Sequence, residues 1–370
     1  MSALDRLPLS HNFADQDEAF APAFAILQEA IGSRAFPGAS IAIVQSGALI
    51  ALKAFGYFTL EPTSALVTTS TLFDLASLTK VVATTPIAML LYERGLLDLD
   101  APVAAIVPEF VAGKTADPRR RSVTLRMLLA HSSGLPAYEK LFLTAHTREE
   151  LLQAAFSTAL TSEPGSRAEY SDVGFIILGI ALERLADEGL DSFCRREVFA
   201  ALGMVNTTFN PPTHLRAAIP PTANDQSFRH RVIQGEVQDE NASVLGGVAS
   251  HAGLFSTAED LAQFAAALLS SGNPIFRPET VSLFTRQESA PAGTSRALGW
   301  DTPSAPSQSG KHFSPQSFGH LGYTGTSLWI DPMRQLAIVL LTNRTWPDCS
   351  NQAIKQVRPQ FHDAVVEALR

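Results

Sequence analysis

Within residues 73–86 a serine and a lysine, Ser77 and Lys80, stand three positions apart. On a helix that spacing stacks the two side chains on one face. A serine hydroxyl is a weak nucleophile at neutral pH until a neighbour takes its proton, and an amine one turn away is among the few groups able to do so. Ser-x-x-Lys is therefore a minimal pair of nucleophile and base, although the spacing arises roughly once by chance in a chain of this length, usually on a solvated helix face. Here the lysine is followed by Val81, Val82 and Ala83, then by the apolar run from Ile87 to Leu91, which suits a buried helix. A buried lysine without partners is costly, so other parts of the chain must supply them.

The elements that position this pair can be read from punctuation and periodicity. The chain has 370 residues and is 46% hydrophobic, enough for one large domain or two intimately joined ones. Residues 20–31 have helical apolar spacing ending near Gly32, and residues 38–56 read as a β-hairpin turning at Ser46-Gly47. The Ser77 helix should close at Gly95, with Pro86 kinking or shortening it because proline removes a backbone donor. A short helix is expected over 123–129, leading into the run from His131 to Pro136, and 148–202 reads as mostly helical. Residues 210–240, rich in proline, polar groups and histidine, predict a long irregular surface excursion and a candidate substrate loop. Thr257 caps a further helix with Glu259 and Asp260 in its first turn. Residues 326–330 and 336–341 flank Asp331-Pro332 as a second hairpin, and 351–369 form a closing helix. This order implies an α+β fold, an antiparallel sheet flanked by N- and C-terminal helices with an inserted mostly helical domain. The expected division is 1–70 and 245–370 for the sheet-bearing body and 71–244 for the insertion, with the Ser77 helix at the seam.

Charge and composition exclude several partners. A net charge of −8 and a single short basic run, Arg119-Arg120-Arg121, leave no electrostatic footprint for nucleic acid. Cys194 and Cys349 lack metal-type spacing and read as unpaired thiols. The apolar stretch 173–182 is too short to span a bilayer, and the first eight residues lack a basic start followed by an apolar run. The chain therefore reads as soluble, cytoplasmic or exported with a signal removed, with its oligomeric state open. No cofactor is implied, since P-loop, dinucleotide, His-Glu-x-x-His and Gly-x-Ser-x-Gly patterns are missing.

Two further segments offer partners for Lys80. Tyr170-Ser-Asp172 precedes an apolar helical run, where Asp172 could equally be a plain N-cap, and His320-Leu-Gly322-Tyr323 precedes a strand. With Ser77-Leu-Thr-Lys80, these segments in this order make the chain resemble the serine β-lactamase and penicillin-binding protein superfamily over about residues 20–368. The resemblance is to the branch of class C enzymes, DD-peptidases and family VIII esterases. Leu128 to Pro136, and Asp239 through His251-Ala-Gly253, look like the same branch and like enzymes that trim muramyl peptides. The resemblance implies an acyl-enzyme on Ser77, with Lys80 and Tyr170 sharing the proton work. It also implies an oxyanion held by the backbone N–H groups of Ser77 and Tyr323 and a substrate wall made by Asp172, His320, Leu321 and Gly322; His131 and His251 read as structural histidines.

The departures from the family pattern carry the substrate information. Where the superfamily commonly offers a lysine and a threonine to a substrate carboxylate, this chain has His320 and Leu321, and Asp172 replaces an asparagine amide. Leucine has no hydroxyl, neutral imidazole has one donor, and a carboxylate disfavours a nearby anion. The expected substrate is a small neutral ester, or an amide whose cation or donor meets Asp172; a muramyl peptide or D-amino-acid amide would fit. A β-lactamase or DD-carboxypeptidase, or a catalytically idle binding module, are the alternatives. An ion pair between Asp172 and Lys80, the favoured expectation, would raise the lysine's pKa, leaving Tyr170, lowered by the ammonium, to act as base; alternatively a desolvated, protonated Asp172 would behave like the missing amide and leave Lys80 free to take the proton. Gly322 is expected to keep a side chain from crowding a substrate lying along the strand.

Overall fold

Strand β1 (Ser10–His11) is followed by the hairpin of β2 (Gly38–Gln45) and β3 (Ala48–Gly56), which turns where the sequence predicts. Ser46 and Gly47 both take positive φ there, 50° and 78°, as the tightest hairpin turns require. In the computed structural model, which describes residues 9–112 and 117–370, the remaining strands are β4 (Phe73–Asp74), β5 (Thr208–Phe209), β6 (Pro221–Asp225), β7 (Arg231–Gln234), β8 (Leu254–Ser256), β9 (Phe318–Leu321), β10 (Ser327–Asp331) and β11 (Leu336–Thr342). The first eight residues, read above for a secretory pattern, lie outside the described set.

Six strands form one sheet in the order β1-β3-β2-β11-β10-β9, antiparallel except for the parallel β1–β3 pair. Both ends of the chain meet in it, because β2 pairs with β11 through seven registered positions from Ala39↔Thr342 to Gln45↔Leu336. Alternation along the strands sorts the side chains into two cores. Ile41, Ile43, Ile338, Leu340 and Trp329 face the helices Ala21–Gly32 and Ile354–Ala368. Ala42, Val44, Val339, Leu341, Leu328 and Ile330 face the larger core, built by the Ser77 region and the helices Asp172–Ala186 and Ala258–Leu269. β2 and β11 read as nearly continuous apolar runs because both faces are covered. The α+β expectation stands.

Two local expectations change. The Ser77 helix has three pitches: a 3₁₀ turn at Ala76–Leu78, a π-helical stretch at Lys80–Thr84 and an α-helix over Thr85–Glu93 that ends at Gly95 with φ 69°. Pro86, in the first turn of the α-helical part, explains the widening: its ring would collide with the carbonyl four residues back, and a π turn moves that carbonyl aside. Residues 210–240 are also less irregular than expected. β6 and β7 pair as a hairpin, and the Asp225 carboxylate accepts the backbone N–H groups of Ser227, Phe228 and Arg229. Arg229 in turn donates to the carbonyls of Val237 and Gln238 at 2.7 and 2.6 Å. Cys194 is buried and Cys349 exposed, and both are free thiols. No described helix is long and apolar enough to cross a membrane.

Candidate active site

Ser77 lies on the 3₁₀ turn that follows β4 and is only partly buried although its neighbours on both sides are buried. Lys80, one turn on, is fully buried and donates from Nζ to Ser77 Oγ at 2.9 Å and to the His251 carbonyl at 2.9 Å. Tyr170 OH lies 2.6 Å from Ser77 Oγ on its other side. The Asp172 carboxylate sits 2.6 Å from Lys80 Nζ and accepts the Tyr170 hydroxyl at 3.1 Å. Four side chains that the sequence spreads over 96 positions, Ser77 to Asp172, thus close into one hydrogen-bonded ring.

Local chemistry explains how each is held. Ser171, not Asp172, caps the helix Asp172–Ala186, its Oγ accepting the N–H of Gly174 at 2.9 Å. That frees the Asp172 carboxylate, one residue into the helix, to turn towards Lys80. Ser171 is fixed from the other side by the stretch ending at Pro136: its N–H donates to His131 Nδ1 at 3.0 Å and its hydroxyl to the Pro136 carbonyl at 2.7 Å. His131 then packs its ring against Tyr170 and Phe175, at 4.7 and 4.9 Å between centroids. His251 contributes its backbone carbonyl, while its Nε2 lies 3.0 Å from Asp239. Both histidines thus have the structural positions expected of them.

The electrostatics reverse one expectation. Burial pushes the Lys80 amine below its ordinary value, and the Asp172 carboxylate opposes that shift without overcoming it. The same burial, reinforced by Asp172, pushes the Tyr170 phenol well above its ordinary value. The expected lowering of Tyr170 is therefore not found, because desolvation and the nearby Asp172 anion outweigh the Ser77 hydrogen bond and the Arg296 cation.

His320, on β9 at the sheet edge, lies 6.0 Å from the Tyr170 ring between centroids. Its Nδ1 is engaged with the Leu321 carbonyl at 2.8 Å, and burial, with Lys80 and Arg296 nearby, pushes it down to about 3. It is a neutral imidazole. Leu321 is placed differently from expectation: strand alternation turns its side chain to the opposite sheet face, against the smaller core, so it brings only its backbone to the site. Asp172, expected to line the substrate wall, is instead committed to Lys80 and Tyr170, its side chain 15% exposed. Tyr323 is half-exposed, with Arg344 4.7 Å from its ring centre.

Gly322 is required for a reason other than substrate room. A Cβ there would lie 1.9 Å from Thr326 Oγ1 and 2.4 Å from the Leu75 carbonyl oxygen, so the turn after β9 could not close on the nucleophile segment. Two threonines make that closure, Thr324 donating to the Asp74 carbonyl at 2.8 Å and Thr326 to the Leu75 carbonyl at 2.9 Å. Gly322→Ala is expected to cost about 1–3 kcal/mol through overpacking, together with a loss of activity. Thermal unfolding read beside ester turnover checks this, and unchanged values in both would refute it.

The sequence reading missed Arg296, whose guanidinium carbon is 5.6 Å from the Tyr170 ring centre and whose Nη1 is 3.6 Å from Asp301. It comes from an irregular stretch without periodicity, so no sequence signal marks it. Among the described residues no group of His, Cys, Asp and Glu is arranged to hold a metal ion.

The chain and its fold have counterparts among known proteins. The Beta-lactamase family model matches residues 23–358. The chain is 33% identical over 347 residues to the N-acetylmuramyl-L-alanine amidase of Bacillus subtilis (strain 168), covering 84% of this chain and 77% of that protein. It is 31% identical over 358 residues to a protein of Salmonella agona (strain SL483) named for D-alanyl-D-alanine carboxypeptidase activity, covering 86% and 81% of the two. Among solved structures, EstCE1, described as a hydrolase with promiscuous acyltransferase activity, superposes with a TM-score of 0.78 at 22% identity, covering 95% of this chain and 100% of that one, which is a likeness of fold. On the match across nearly its whole length, the chain belongs to the beta-lactamase family.

Proposed function

We propose that this serine hydrolase cleaves an ester or amide through an acyl-enzyme on Ser77, with Lys80 as base and Tyr170 as proton donor. The observation that carries the reading is the position of Ser77 Oγ, on a residue only partly buried and held between Lys80 Nζ at 2.9 Å and Tyr170 OH at 2.6 Å. As Oγ bonds to the substrate carbonyl carbon, its proton passes to Lys80, whose burial favours the neutral amine. The backbone N–H groups of Ser77 and Tyr323, on segments tied together by Thr324 and Thr326, receive the oxyanion. Tyr170 gives its proton to the leaving oxygen or nitrogen as that bond breaks, and the ammonium of Lys80 restores it by way of the Asp172 carboxylate, whose Oδ1 both groups share. Water then attacks the acyl carbon and the steps run in reverse. The division into a 1–70 and 245–370 body and a 71–244 insertion belongs to the same reading, with Ser77 between them.

The substrate follows from what the wall lacks. Neutral His320, with its donor used by Leu321, and a Leu321 packed against the smaller core on the opposite sheet face offer a substrate carboxylate neither a cation nor a hydroxyl. This favours short esters, or amides such as muramyl-alanine peptides and D-amino-acid amides, and the amidase name of the B. subtilis relative agrees with the latter. A second reading, a β-lactamase or DD-carboxypeptidase, is favoured by Arg296, a cation beside Tyr170 able to meet a carboxylate. A hydrolysis panel separates them: p-nitrophenyl acetate, a muramyl-alanine peptide, a D-amino-acid amide, a chromogenic cephalosporin and a D-Ala-D-Ala peptide. Turnover confined to the first three is expected. Turnover confined to the last two would support the Arg296 reading, and no turnover at all would leave an idle binding module.

A further inference from the structure

Asp74, three residues before Ser77, has no part in the mechanism above, yet its buried carboxylate makes two hydrogen bonds to backbone. Oδ1 accepts the N–H of Ala76 at 2.8 Å, and Oδ2 accepts the N–H of Gln238 at 2.6 Å. The first bond alone would be an ordinary local turn, since Asp side chains often bind their own backbone two residues on. The second spans 164 positions and is not local. Between Asp74 and Ser77, Ala76 has a φ of 47°, in the left-handed region that a Cβ disfavours. The adjoining carbonyls of Asp74 and Leu75 are taken by Thr324 and Thr326. Gln238 belongs to the segment that Arg229 holds through the carbonyls of Val237 and Gln238.

We propose that ionised Asp74 is a positioning residue, clamping Ala76 in its left-handed conformation against residue 238 and so fixing the direction of Ser77 Oγ towards Lys80 and Tyr170. A strained residue beside a nucleophile persists only when its surroundings over-determine it. A fully ionised carboxylate, accepting on both oxygens, supplies that restraint from a direction the two threonines do not. The inference rests on Ser77 being the nucleophile.

The clamp has a pH signature. Burial raises Asp74 to about 6; the N–H groups of Ala76 and Gln238 oppose this, Asp239 adds to it and Arg229 works against it. β8, paired with β4, presents no titratable side chain, and the turn after β9 presents Tyr323 alone, half-exposed and pushed up to about 12. Above about 6 both oxygens accept. Below it a proton on one of them faces an N–H, and one bond is lost.

The test uses the full chain and p-nitrophenyl acetate from pH 5 to 8. The wild type should show an acidic limb in kcat. Asp74→Asn, which keeps one acceptor, should lower kcat at pH 8 by about 10²-fold, the cost of misplacing a reacting group by about 1 Å. Its KM should stay within about twofold, and its acidic limb should be displaced. Ala76→Gly, which takes a left-handed φ without a clamp, should flatten the acidic limb by itself and recover about tenfold of kcat in the Asp74→Asn background. An Asp74→Asn enzyme with wild-type kcat, or one slowed with its acidic limb unmoved, overturns the proposal. If Asp74→Asn fails to fold, Ala76→Gly alone decides, and an unchanged limb overturns it. Labelling with a fluorophosphonate separates the two levels: a wild type unlabelled at Ser77 removes the acyl-enzyme reading and this inference with it. A labelled Ser77 with both variants indifferent removes this inference alone.

Discussion

Ser77→Ala and Lys80→Ala are each expected to lower kcat on p-nitrophenyl acetate by about 10⁴-fold or more, and the double variant to be no slower than either single one. The expectation rests on the 2.9 Å contact between Lys80 Nζ and Ser77 Oγ. A hydroxyl without its base and a base without its hydroxyl fail in the same step, so their losses do not add. Lys80→Ala also leaves Asp172 as a carboxylate that has lost its ammonium partner 2.6 Å away. Thermal unfolding must therefore accompany the kinetics, to assign the loss to chemistry rather than to folding. A double variant much slower than both singles would show two independent contributions and contradict the pairing.

Tyr170→Phe should be milder and should depend on the leaving group. Burial and the Asp172 carboxylate keep the phenol protonated, which fits a donor to the leaving atom and not a base. Removing a general acid costs about 10²–10⁴-fold, but chiefly where the leaving group is basic. The loss should be large on a D-amino-acid amide and small on p-nitrophenyl acetate, whose nitrophenolate departs without help. Equal losses on both, matching Lys80→Ala, would restore tyrosine to the role of base.

This pairing of roles shows where a sequence can be read and where it cannot. The hairpin turns at Ser46-Gly47 and Asp331-Pro332 and the Thr257 cap are local chemistry, and each is found where the sequence places it. The convergence of Ser77, Lys80, Tyr170 and His320 was legible because their residue types recur in a known order. The sign of the Tyr170 shift was not, since it depends on how deeply the folded chain buries the ring, with His131 and Arg296 packed on it from two distant segments, and on the Asp172 carboxylate beside it. Leu321 was misread for a simpler reason, because one step along a strand reverses the face. Pro86 looked like a helix breaker until the π-helical stretch before it was in view. The β6–β7 hairpin hid in a proline- and histidine-rich stretch because Asp225 and Arg229, not hydrophobic periodicity, hold its turn. A further partner of Lys80, beside Ser77 and Asp172, is the backbone carbonyl of His251, which no side-chain pattern announces.

Mapping a covalent adduct tests the acyl-enzyme most directly. The purified full chain is treated with a fluorophosphonate, digested, and each modified peptide located by tandem mass spectrometry. A single phosphonyl group on Ser77, formed much more slowly in Lys80→Ala, is the predicted result; an adduct on another serine, or none on folded protein that still hydrolyses p-nitrophenyl acetate, would contradict it.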